Sequence, residues 1–210
     1  MSEERVDRRL AAVLAGDIAG YSRLMGRDEE GTLAQLKVLR KTIVDPGIAA
    51  HHGRIVKTTG DGMLVEFASA VDATRAAVEL QRAMADRPCD IPPELRIEFR
   101  IGIHVGDIIF DDDDIFGDGV NIAARLEGIA EPGGVCISDD AQRQIRGKVA
   151  IALEDMGLQT LKNIAEPMRA WRVQIADARA SEISVNVSAG SIPPLVLPTS
   201  PPSRSCRSRT

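Results

Sequence analysis

Residues 54–67 read RIVKTTGDGMLVEF, and two short apolar-rich runs, 54–58 and 63–67, flank Thr59, Gly60, Asp61 and Gly62. Asp-Gly between two such runs is a strong hairpin signal, so this stretch predicts an antiparallel strand pair with Asp61 at its tight turn. Upstream, residues 10–18 (LAAVLAGDI) form an apolar run broken only by Gly16 and Asp17. It reads as a buried strand that carries an acid at its end. Between the two, Leu33, Leu36, Leu39, Ile43 and Ile48 recur at helical spacing over residues 28–51, with a bend or restart at Pro46.

Downstream, residues 71–84 repeat apolar positions at helical spacing and residues 88–93 form a polar loop. Residues 95–110 read as two strands joined near Gly106 and Asp107. An acidic loop, 111–114, leads to Gly117-Asp118-Gly119 and a short helix over 120–129 with Asp118 as its cap. Residues 135–138, 150–153 and 169–173 are the remaining strands, with a helix over 139–146. This order predicts an α+β sandwich, a mainly antiparallel sheet covered by helices. From 175 to 210 Ser, Pro and Arg dominate without a sustained period, which predicts a disordered tail or linker.

The 210 residues suit one ordinary core plus that tail, with 44% hydrophobic and 27% charged residues. A formal net charge of -5 argues against a broad basic surface for a nucleic-acid backbone, while leaving room for a small basic pocket. Cys89, Cys136 and Cys206 are odd in number and far apart, without zinc-ligand spacing. They predict reduced thiols in a cytoplasmic protein. The polar N-terminus and the early break at Gly16 and Asp17 leave no apolar run near the ~20 residues a membrane span needs.

Asp17 and Asp61 both fall at strand ends or turns, where a rigid sheet can present carboxylates to a cation. Taken one at a time they do not define a metal site, because an aspartate in Gly-Asp-Gly is more often a turn former and one after a buried strand is often a helix cap. The stretch DIFGDGVNIAAR, residues 114–125, carries more. Asn121 and Arg125 stand four apart and share a helical face, while Ile122, Leu126 and Ile129 form an adjacent apolar stripe. Taken alone, such a pair is more often an exposed, solvated helix face.

Four stretches in order, GDIAGY (16–21), KTTGD (57–61), RIGIHVG (100–106) and DIFGDGVNIAAR (114–125), resemble the class III adenylate/guanylate cyclase catalytic domains. The resemblance spans roughly residues 8–174 and implies the ferredoxin-like sandwich of that family. It implies that Asp17 and Asp61 bind two divalent cations, Mg2+ or Mn2+, with the backbone of Ile18 lending a carbonyl. It further implies that Lys57 and Asp114 recognise the purine, that Asn121 orients the ribose and that Arg125 stabilises the transition state. Lys162, in LKNIAEP (161–167), stands where such domains often have a basic residue for the triphosphate. The family's sites are shared across a dimer interface, so the chain is expected to form a homodimer with two composite sites.

The purine choice has its own chemical check. Lys57 can donate to adenine N1 and Asp114 can accept from the 6-amino group, whereas guanine presents the reverse pattern and leaves both unpaired. The expected reaction is therefore ATP to cyclic AMP and pyrophosphate. The rival readings are a nucleotide-binding regulatory module without turnover and a guanylate cyclase. His51, His52, His104, Tyr21 and Trp171 read as structural. A calcium loop starting at Asp112 fails, since Phe116 falls where an oxygen ligand is needed.

Overall fold

The computed structural model describes residues 7–87, 91–111 and 114–175. The expected tail lies outside them except for Ile175, which packs against the core. Strand β1 (Asp7–Ile18) is followed by helices α1 (Tyr21–Arg27) and α2 (Glu29–Leu39), and a π turn over Arg40–Val44 joins α2 to α3 (Asp45–Ala50). The hairpin β2 (Arg54–Thr59) and β3 (Gly62–Phe67) precedes the long α4 (Ala70–Ala85). Then come β4 (Phe99–Asp111), β5 (Asp114–Phe116), α5 (Asp118–Ile129), β6 (Val135–Ser138), α6 (Asp139–Ile145), β7 (Ala152–Gln159) and β8 (Met168–Gln174).

The strands form one sheet in the order β2-β3-β1-β4-β6-β8-β7, with β5 folded back on β4. Every pairing is antiparallel except that of β4 with β6. This is the mainly antiparallel α+β sandwich expected. The central strands are buried on both faces, and the two-residue period sorts their side chains. Ala12, Leu14 and Ile18 of β1 and Ile101, Ile103 and Val105 of β4 join one core with residues of α1–α4 and α6. Ala11, Val13 and Ala15 of β1 and Ile108 of β4 face the other way, into a smaller core with Ala123 of α5. By the same alternation Asp17 and Arg100 stand on the α5 side.

Helix α5 lies very close to β4. A Cβ at Gly102 would overlap the carbonyl of Ala123 and the backbone of Glu127, so only a glycine lets the helix seat there. Cys136 is a buried free thiol, and burial pushes its pKa up to about 11, so it is protonated at neutral pH. Cys89 and Cys206 lie outside the described residues. His104 is buried with Nδ1 2.9 Å from Ser138 Oγ. Among the described residues no helix is long and apolar enough to cross a membrane.

Several expectations are corrected. Residues 99–111 form one strand of 13 residues, not two, because β1 pairs with it past Gly106 and Asp107 as far as Asp7. The acidic loop ends in strand β5, which starts at Asp114. The hairpin turn residues are Gly60 and Asp61, with Thr59 paired to Gly62 and φ +57° at Gly60. Asp118 lies inside the first turn of α5, while Gly117 occupies the cap with φ 119°. Strand β7 runs over Ala152–Gln159, later and longer than the 150–153 expected.

Candidate active site

Three elements converge on one open cleft of about 300 Å3. Asp17 comes from the end of β1 and Asp61 from the β2–β3 turn; Lys57 and Thr59 come from β2, and Val120, Ala124 and Glu127 from α5. The α5 residues are spaced i, i+4 and i+7, one stripe of a helix. Ile18 anchors the end of β1 with its side chain buried in the core beside Phe99, its pairing partner. The adjacent Ala19 N–H donates to the Glu98 carbonyl at 2.9 Å.

At the edge of the cleft Lys57 Nζ donates to Asp114 Oδ2 at 2.6 Å, and Ile115 N–H donates to Asp114 Oδ1 at 2.9 Å. The Lys57 hydrogen bond, reinforced by that of Ile115, holds the Asp114 carboxyl below the usual carboxylate range. Both side chains keep substantial exposure, 51% and 29%. Their polar ends are thus available to a ligand that separates them.

Asn121 and Arg125 occupy the neighbouring stripe of α5, and neither lines the cleft that holds the aspartates. Asn121 is exposed, while Arg125 Nε donates to the Lys162 carbonyl at 3.0 Å. That contact ties Arg125 to the turn between β7 and β8, where Lys162 is exposed. Within one chain, then, Asp17, Asp61 and Lys57 share a cleft, Lys57 meets Asp114, and Arg125 meets Lys162. The two groups stay apart.

Two residues missed in the sequence complete the cleft. Arg100 stands directly opposite Asp17 in the β1–β4 register, and its Nη2 donates to Asp17 Oδ2 at 2.5 Å. The same nitrogen is 3.2 Å from Glu127 Oε1. Burial, then the charges of Asp17 and Asp61, push Glu127 up to about 7 against the opposing pull of Arg100. Arg100 was visible as the first residue of the RIGIHVG stretch, and Glu127 as the next position on the Val120 and Ala124 stripe.

The donor set suits divalent cations that complete their shells with phosphate oxygens and water. Mg2+ typically takes only one or two protein carboxylates together with substrate phosphates, as Asp17 and Asp61 can supply. Among the described residues no group of three or more His, Cys, Asp or Glu closes on a single point, so a fully protein-caged ion is not what this cleft offers. The Arg100 guanidinium lies against Asp17 and in ion-pair range of Glu127 Oε1, which is buried and makes no hydrogen bond.

Residues 6–174 match the profile of the Adenylate and Guanylate cyclase catalytic domain, and the chain belongs to that family. It is 46% identical over 201 residues to "Putative adenylate cyclase 3" of Rhizobium meliloti (strain 1021), covering 96% of this chain and 34% of that protein. It is 38% identical over 153 residues to an adenylate cyclase of Streptomyces coelicolor (strain ATCC BAA-471 / A3(2) / M145), covering 72% of this chain and 38% of that one. The chain thus spans only about a third of the length of these two relatives, 34% and 38%. Among solved structures, the Adenylate/Guanylate Cyclase/Hydrolase from Silicibacter pomeroyi superposes with a TM-score of 0.76 at 51% identity, covering 80% of this chain and 98% of that one.

Proposed function

We propose that the chain is an adenylate cyclase that converts ATP to 3',5'-cyclic AMP and pyrophosphate in a homodimer with two shared sites. The observation that carries the nucleotide choice is the Lys57–Asp114 pair, a donor beside an acceptor. Adenine can take the place of that salt bridge with N1 and its 6-amino group, while guanine leaves both groups facing their own kind. Asp17, Asp61 and the Ile18 backbone would hold two divalent cations, Mg2+ or Mn2+, which would make the ribose 3'-hydroxyl more acidic and offset the charge of the leaving pyrophosphate.

The remaining roles fall to side chains of the second copy. Asn121 orients the ribose so that its 3'-oxygen lies in line with the α-phosphorus. Arg125 faces the charge that builds on the α-phosphate, held in position by the Lys162 carbonyl. The Lys162 side chain reaches the terminal phosphates. Each site combines Asp17 and Asp61 of one chain with Lys57, Asp114, Asn121 and Arg125 of the other; the Asn121 and Arg125 stripe, turned from its own chain's cleft, supports this division, whereas Lys57 also lines the cleft of its own chain and has to reach the purine of the partner's site from there. Exposed Leu10 (67%) and Phe116 (47%) are apolar surface that a partner copy can cover.

The test is cyclic nucleotide formation by the purified chain with Mn2+ and either ATP or GTP. Cyclic AMP from ATP, with GTP turned over at least about a hundredfold less efficiently, is the expected outcome. Equal use of both nucleotides would remove the purine assignment. No product from a demonstrably dimeric chain would favour a nucleotide-binding regulatory module.

A further inference from the structure

Arg100 is shared between two acids that do not have equal claims on it. Its Nη2 donates to Asp17 at 2.5 Å and stands in ion-pair range of Glu127 Oε1 at 3.2 Å without making a hydrogen bond to it, while Arg100 Nε is buried without a hydrogen-bond partner. A guanidinium hard against Asp17 and a divalent cation on the same carboxylate repel each other. Before Asp17 can take a cation, Arg100 has to move off it. The residue in place to receive Arg100 is Glu127, the other carboxylate within ion-pair distance of it among the described residues.

Glu127 is also held where it is. Gly102, two residues along β4 from Arg100 and on the same face, lets the α5 backbone at Ala123 and Glu127 press onto the strand. The helix turn that carries Glu127 is therefore fixed against the strand that carries Arg100. A small rotation of the guanidinium toward Glu127 turns their ion pair into a hydrogen bond and uncovers Asp17. Burying an unpaired polar atom is costly, so the present arrangement is one in which the second partner stands ready.

We propose that Glu127 is a positioning residue that draws Arg100 off Asp17 and so frees that carboxylate for a divalent cation. The proposal rests on the reading of Asp17 as a cation-binding residue. Without Glu127, Arg100 has only Asp17 to pair with and competes with the cation for it.

The test is direct Mn2+ binding to the purified full chain, followed by the electron paramagnetic resonance signal of free Mn2+ in the presence of an ATP analogue that cannot cyclise. Glu127→Gln is expected to raise the half-saturating Mn2+ concentration about tenfold, and Glu127→Asp to raise it less. The deciding arm is the pair with Arg100→Gln: the Glu127→Gln penalty disappears when Arg100 is already neutralised, because nothing is left to compete. An unchanged half-saturation in Glu127→Gln, or a penalty that persists in the Arg100→Gln background, overturns the proposal. Should Glu127→Gln not fold, Glu127→Asp with and without Arg100→Gln reads the same coupling. Asp17→Asn in the same assay separates the two levels. Unchanged Mn2+ binding there overturns the reading of Asp17 and the proposal with it, whereas weakened binding there and none in Glu127→Gln overturns the proposal alone.

Discussion

Asp61→Ala is expected to lower cyclic AMP formation from ATP by about a thousandfold while the protein still folds and dimerises. The size follows from the chemistry asked of the cleft. A metal acting as Lewis acid and charge clamp contributes several kcal/mol to a phosphoryl transition state, and each 1.4 kcal/mol is a factor of ten. Removing one of the two carboxylates that hold such ions forfeits most of that contribution. The cost to folding is small by comparison, because Asp61 sits at a hairpin tip whose turn geometry rests on Gly60, and among the described residues no salt bridge involves it. Activity measured at matched concentration alongside thermal unfolding separates the two. An Asp61→Ala protein with wild-type stability and more than a tenth of wild-type turnover would contradict the role assigned to the hairpin.

The purine pair gives the second large effect. Converting Lys57→Glu together with Asp114→Asn is expected to lower kcat/KM for ATP by about 10^2–10^4, because adenine N1, an acceptor, then faces a carboxylate instead of a donor. The same exchange offers guanine an acceptor for N1–H and a donor for O6, so the ratio of GTP to ATP use rises. The single change Lys57→Glu is the more disruptive of the two, since it sets a second carboxylate where a cation now stands 2.6 Å from Asp114. Steady-state kinetics with both nucleotides measure this. A double variant that keeps its preference for ATP would show that other contacts select the base.

What the sequence made legible was local. The Thr59–Gly62 turn, the acid at the end of β1 and the helical spacing of Asn121 with Arg125 each depend on residues within a few positions of one another, where turn chemistry and period decide. The failures were tertiary. Gly106 and Asp107 look like a turn, but pairing with Ala11 and Leu10 keeps the chain extended through them. Asp111 and Asp114 look like the two ends of an acidic loop, yet they pair with each other as β5 folds back on β4. Gly157, with φ +72°, lies in the irregularity between Asp155 and Leu158, which masks the full length of β7 in the sequence pattern.

The site divides the same way. Asp17 and Asp61 stand together, and Lys57, which the resemblance assigns to the other half of the site, lines the same cleft, but the Arg100 and Glu127 pairing depends on which strand lies beside β1 and which stripe of α5 faces it. Periodicity gives the face of each element and not its neighbour. The alternation of β4 does place Arg100 on the face opposite to Ile101 and Ile103, so once the β1–β4 register is known its contact with Asp17 follows. The Arg125 contact with the Lys162 carbonyl, 37 residues apart in sequence, was likewise out of reach of local pattern.

The central claim, that each site is assembled from two copies of the chain, is tested most directly by mixing two inactive variants. Asp61→Ala lacks a cation-binding carboxylate and Arg125→Ala lacks the transition-state arginine, so neither homodimer has a complete site. On random exchange about half of the dimers carry one chain of each kind, and each of those holds one intact site of two, which predicts recovery to about a quarter of wild-type cyclic AMP formation. A mixture no more active than its separate components, with subunit exchange verified, would contradict a shared site.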